Sequence, residues 1–366
     1  MKPEIIIETV SNALIDRLGD ELDLIFHYGS LVNGNAHKTS DIDISFVPRH
    51  EHTRGSITVM VEDVLCDLYP MHWSTLEHMA DYRNVSATVL LKNRLIYQRN
   101  QEVAERFQAL AGRLKKLQQP EARPEMVKRA LDIFQEAAYA YYLLQLQETQ
   151  TNKLACLQQS QAIIRTVFHS LAACNQYIID TRKLEQVMAL AKLPEHFSEN
   201  VTLLLNTTEP AKLLKYSAKL LDTTRTLLLS EQRSLKVESH YQNRFKATYP
   251  ELKKDLQNLI HCCQHKDNFG LRHYLLSLFH ELSLGIAEVT TGLVYGSFNS
   301  LAEYEQDLVS LGFPALLPYL KTNDYEALEG QCLLFDEQLK RFLTDHSVAL
   351  NNFASPEELE TFLKET

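Results

Sequence analysis

The chain lacks the features that would place it in several large classes. Its 366 residues contain no run of eighteen apolar ones, so nothing in it reads as a membrane span. The opening residues, MKPEIIIETVSNALIDRLG, carry Glu4, Glu8 and Asp16, which a secretory signal would not. Six cysteines without regular spacing read as free thiols of a reducing compartment, not as a disulfide framework. There is no Gly-rich P-loop ending in Lys-Ser/Thr and no GxGxxG fingerprint. No C-x2-C pair appears, and His280-Glu281 is followed by Leu284 where a zinc protease needs its second histidine. A formal net charge of −10 lacks the basic excess of a nucleic-acid binder. No fixed-period repeat or low-complexity tract is present. The expectation is a soluble cytoplasmic protein with neither membrane nor nucleic acid as partner.

What the chain does have is concentrated in residues 24–47, LIFHYGSLVNGNAHKTSDIDISFV. Leu24 to Tyr28 reads as a buried strand, and Gly29-Ser30 as its turn. A polar segment ending in Lys38-Thr39-Ser40 then leads to a second strand bearing Asp41 and Asp43. Residues two apart on a strand share a face, about 6–7 Å from each other. Two carboxylates on one face, beside apolar Ile42, Ile44 and Phe46, are costly unless a cation lies between them. Mg²⁺ favours such oxygen ligands and commonly shares them with substrate phosphates. Backbone N–H groups and a hydroxyl at Gly29-Ser30 suit a phosphate. The pattern points to metal-assisted chemistry on a nucleotide.

Gly29-Ser30, ten residues and then Asp41-Ile42-Asp43 resembles the signature of the polymerase-beta-like nucleotidyltransferase superfamily. More narrowly, it is similar to the branch holding small-molecule (aminoglycoside and lincosamide) enzymes and the minimal nucleotidyltransferases of toxin–antitoxin pairs. The resemblance covers residues 1–100. It implies a third carboxylate on a neighbouring strand, and Asp67 within Val64-Leu65-Cys66-Asp67-Leu68-Tyr69 fits; Glu62 and Asp63 precede the apolar run and read as turn residues. The implied roles are Asp41, Asp43 and Asp67 as catalytic and metal-holding residues, with Gly29, Ser30, Asp41 and Asp43 binding the nucleotide. The implied cofactor is one or two Mg²⁺ ions, and the co-substrate a nucleoside triphosphate, with ATP the expected one. The expected reaction moves AMP to a hydroxyl of a small molecule, a cationic aminoglycoside-like antibiotic in particular, and releases pyrophosphate. The alternatives are AMP transfer to a protein, as in the toxin–antitoxin branch, and a non-catalytic nucleotide-binding scaffold.

The expected fold is α+β, with an N-terminal nucleotidyltransferase domain over 1–100, built as a small mixed sheet flanked by helices. A connecting helix and linker follow over 101–124, marked by Pro120 and Pro124, and then an all-α region over 125–366, divisible into 125–233 and 234–366. Helical periodicity covers 125–148, 153–174, 183–192, 209–231, 237–264, 268–292, 300–311, 324–346 and 355–364. By resemblance, this region closes the cleft, with Lys128, Glu136 and Tyr139 the expected contributors. His50-Glu51-His52 reads as a polar loop, and His261, Cys262, Cys263, His265, His273 and His280 as helix-face residues. Arg165 and His169 are similar to the catalytic pair of HEPN ribonucleases but stand closer together than that family's spacing.

Overall fold

A computed structural model describes residues 3–34, 36, 40–50, 55–150, 152–292 and 301–365. The fold is α+β, with a five-stranded mixed sheet at the N-terminus and helices through the remainder. Two compact units can be distinguished, Met1–Leu229 and Ser230–Thr366.

In the first unit, helix α1 (Pro3–Leu18) precedes strands β1 (Leu22–Tyr28), β2 (Ile42–Pro48), β3 (Ile57–Val61) and β4 (Val64–Pro70). Helices α2 (Trp73–Ala80) and α3 (Thr88–Leu91) lead to β5 (Asn93–Gln98). The strand order is β3-β4-β2-β1-β5. Only β2 and β4 run parallel; the other neighbours are antiparallel. Glu62 and Asp63, both at positive φ, make the tight turn between β3 and β4. The two faces of the sheet separate by alternation. Ile25, Ile42, Ile44, Phe46, Cys66 and Leu68 pack with Ile6, Leu14 and Leu18 of α1. On the other face Phe26 meets Phe107 of α4 (Gln101–Lys116), ring centroids 5.1 Å apart.

That second face is covered by helices. Pro120–Ala122 forms a single 3-10 turn that runs straight into α5 (Arg123–Thr149), and α6 (Lys153–Cys174) packs along α5. The buried Ser170 hydroxyl donates to the Ala130 carbonyl at 2.7 Å, satisfying a polar group at that interface. Beyond α6 the chain is fastened to its surroundings. The buried Tyr82 hydroxyl donates to the Tyr177 carbonyl at 3.1 Å, and Gln176 Nε2 donates to the Leu117 carbonyl at 3.1 Å. Asn175 clasps Lys192 through both its backbone N–H and its carbonyl, each at 2.8 Å. Helices α7 (Leu184–Met188), α8 (Phe197–Leu205) and α9 (Pro210–Arg233) follow.

The second unit comprises α10 (Tyr241–Arg244), α11 (Thr248–His265), α12 (Asn268–Thr291), α13 (Leu301–Ser310), α14 (Leu317–Thr322), α15 (Tyr325–Asp345) and α16 (Pro356–Glu365). Its core is its own, centred on Tyr249, Leu259, Phe279, Leu282, Phe335 and Leu339. Arg244 ties α10 to α12 by ion pairs to Glu281 (3.0 Å) and Glu288 (2.6 Å). Among the described residues, no helix is long and apolar enough to cross a membrane.

Candidate active site

The parallel pairing of β2 with β4 sets Asp43 directly opposite Asp67. Because Ile42 and Ile44 are committed to the core, alternation turns Asp43 to the helix-covered face. Cys66 and Leu68 do the same for Asp67. Thr58 Oγ1 donates to Asp67 Oδ1 at 2.9 Å, which orients that carboxylate from β3. Asp41 stands just ahead of β2, and its charge acts on Asp43.

Gly29 follows β1 at a φ of +93°, a backbone state that side chains rarely adopt. A Cβ there would lie 2.2 Å from Asp43 Oδ2, so only glycine admits this carboxylate. The Asn33 amide donates back to the Gly29 carbonyl at 3.2 Å and closes the turn. The Ser30 hydroxyl is buried and has no hydrogen-bond partner among the described residues.

Burial raises the Asp43 carboxyl to about 6, the Asp41 and Asp67 charges add to the rise, and Arg182 opposes it. The Tyr28 hydroxyl is raised too, chiefly by burial and further by the nearby carboxylates. Burial and the neighbouring carboxylates thus disfavour the charged form of Asp43, a cost that a cation placed against it would relieve.

These residues floor a cleft of about 930 Å³. Its other side is built from Lys92 at the end of α3, Arg165 and Thr166 on α6, and the segment 180–183. Arg182 grips Asp180 with two parallel hydrogen bonds, Nε to Oδ1 at 2.9 Å and Nη2 to Oδ2 at 3.0 Å. Burial by itself would raise the Asp180 carboxyl, but Arg182 outweighs it and holds the group below its ordinary value.

Asp43, Asp67 and Gly29 therefore line one cavity, with Asp41 and Ser30 beside it. Among the described residues, no three His, Cys, Asp or Glu side chains form a ready metal cage. The donor set still suits Mg²⁺, which commonly takes one or two carboxylates and completes its octahedron with waters and phosphates. The orphaned Ser30 hydroxyl and the Cβ-free approach at Gly29 fit a phosphate beside it.

The helical contribution differs from the sequence expectation. Lys128, Glu136 and Tyr139 are exposed on α5 and do not line the cleft; α6 and 180–183 provide its wall. Arg165 reaches the cleft, whereas His169, one turn on, is 5% exposed and stacks edge-on with Tyr82 at 4.8 Å. The two do not share an open site. Lys38, Thr39, Glu51 and His52 lie outside the described residues. His261 and His265 stack on each other at the surface of α11, and Cys262 and Cys263 are buried beneath. Arg165 stood out in the sequence only for its HEPN-like pairing with His169, while Lys92, Arg182 and Lys183 read there as ordinary helix or loop charges.

No family model matches the chain, and no curated protein matches it. Among solved structures, it is similar to a nucleotidyltransferase-like protein from Exiguobacterium sibiricum, at 13% identity and a TM-score of 0.38, over 71% of this chain and 91% of that one.

Proposed function

We propose that the chain is a Mg²⁺-dependent nucleotidyltransferase that moves a nucleoside monophosphate, AMP from ATP, to a hydroxyl of a small molecule. The carrying observation is the pairing of Asp43 with Asp67 on parallel strands, against a Gly29 that leaves no room for a Cβ. Asp41 and Asp43 would hold the ion on the nucleotide side, and Asp67 would complete the set on the acceptor side. When bound, Mg²⁺ supplies charge neutralisation at the transferring phosphoryl group and acidifies the attacking hydroxyl.

The chain's own groups do the rest. Ser30 Oγ and the Gly29 turn donate to phosphate oxygens. The acceptor oxygen bonds to the α-phosphorus as the bond to the bridging oxygen breaks, and pyrophosphate leaves. The hydroxyl proton passes to Asp67, which Thr58 keeps oriented. The cleft volume suits a nucleotide with a small acceptor.

Incubation with α-labelled ATP, Mg²⁺ and a panel of hydroxyl-bearing metabolites and antibiotics tests this reading. The expected result is pyrophosphate release and a labelled small product, both at least 100-fold lower in Asp43→Asn. Label on the protein itself would redirect the reading to protein modification. ATP binding with no turnover on any acceptor would favour the scaffold alternative, and undiminished turnover in the variant would remove Asp43 from the reaction.

A further inference from the structure

The charges of the cleft are divided between its two sides. Among the described residues, the sheet side bears Asp43 and Asp67; the helical side bears Lys92, Arg165, Arg182 and Lys183 with a single carboxylate, Asp180. Asp180 is already engaged by Arg182 through two hydrogen bonds. Arg165 and Lys92 are exposed and have no ion pair among the described residues. Resting on the nucleotidyltransferase reading, we infer that this basic wall binds a phosphate or other anionic group of the substrates, and that the acceptor is not a polycation.

The argument is one of available partners. A polyamine-like acceptor needs several carboxylates to replace its hydration, and juxtaposed like charges repel it. Asp43 and Asp67 are assigned to the ion and the reacting oxygens, and Asp180 is committed to Arg182. Among the described residues, nothing else lining the cleft is acidic. A phosphate finds the reverse: Arg165 offers a planar fork of donors, and Lys92 and Lys183 offer point charges. The anion has two possible sources, the triphosphate tail of the nucleotide and an acidic group on the acceptor. An uncharged or anionic hydroxyl compound fits either case. An aminoglycoside fits neither.

Calorimetric titration of the full chain with inorganic pyrophosphate in Mg²⁺ buffer tests the wall. The comparison is with Arg165→Gln, Lys92→Gln and the double variant, whose melting temperatures serve as the folding control. Wild type should bind pyrophosphate, and the double variant should bind it about 10-fold or more weakly, with the difference shrinking as salt rises. Adding a non-hydrolysable ATP analogue separates the sources. Displacement of pyrophosphate assigns the wall to the nucleotide tail, and binding alongside the analogue assigns it to the acceptor; both outcomes support it. Equal pyrophosphate binding in all proteins, or none to wild type, overturns the wall. Saturable binding of an aminoglycoside that Arg165→Gln leaves unchanged overturns the acceptor assignment. If the ATP analogue binds wild type while the wall fails, the nucleotidyltransferase reading survives; if the analogue binds nothing, that reading falls as well.

Discussion

The Asp43 carboxyl, raised to about 6 from an ordinary 3.8, is protonated more readily in the folded chain than in the unfolded one. Between those values the folded state holds the extra proton, so stability falls as pH rises through that window and the penalty stays in force above it. Asp43→Asn removes the penalty. In the presence of a chelator, the Asn variant should melt above wild type at pH 7.5, and the gap should close near pH 4. Differential scanning calorimetry at the two pH values checks this; a variant that melts lower at pH 7.5 would refute it. The same contrast explains what could be seen in the sequence at this scale. Asp41, Asp43 and Asp67 stood out because acids inside apolar, alternating runs are costly and need a reason. Arg182 and Lys92 did not, because charges on helix surfaces and loops are ordinary and 90 residues separate the two; Arg165 did, but for a pairing with His169 and not for this cleft.

Among the elements, Asp23 is the joint that fixes the sheet to its helices. It is 5% exposed on β1, accepts from Trp73 Nε1 of α2 at 2.9 Å, and pairs with Arg99, just past β5, at 2.9 Å. Arg106 of α4 lies over the Trp73 ring, 4.0 Å from its centroid, bringing a fourth element to the same place. Arg99→Ala leaves a buried carboxylate with one partner fewer and should cost about 2 kcal/mol, less than a fully buried pair because Arg99 is partly exposed. Trp73→Phe, which deletes one hydrogen bond, should cost about 1 kcal/mol. Urea unfolding monitored by circular dichroism measures both, and the reverse ranking would show that the joint is held by the indole and not the ion pair. Most elements were legible from period alone, α6 among them. The run read as one helix over 237–264 is instead two, because Ala247 adopts a left-handed conformation (φ +59°) between α10 and α11 while the apolar period carries on. Helix α14 escaped notice because Pro318 reads as a breaker, yet it occupies the first turn, where its missing N–H costs nothing. Helix α8, entered through His196 at φ +54°, is too short for a period to emerge.

For the molecule as a whole, the division into Met1–Leu229 and Ser230–Thr366 means two cores of separate composition. The sequence carries one tryptophan, and it lies in the first unit. Tryptophan fluorescence therefore reports that unit alone, whereas far-ultraviolet circular dichroism reports helices of both. The two urea transitions should not coincide, as they would for a single cooperative unit. Superimposable curves would show that the units unfold together. The sequence expectation of separate stretches over 125–233 and 234–366 puts its boundary four residues from this division, which falls within the last turns of α9, where no Pro or Gly marks it. The prolines at 120 and 124, which read as a linker in the sequence, sit in the first turns of helical elements.

The missing Cβ at Gly29 has a consequence beyond access. With Asp43 Oδ2 filling the space where that carbon would be, the half-buried carboxylate packs against the Gly29 backbone in the folded chain. Immobilising a free side chain on binding ordinarily costs about 0.5–1.5 kcal/mol. At Asp43 part of that loss of freedom is incurred during folding, so the proposed ion would have less ordering left to impose. The absence of one methyl group thus acts as preorganisation of the neighbouring strand.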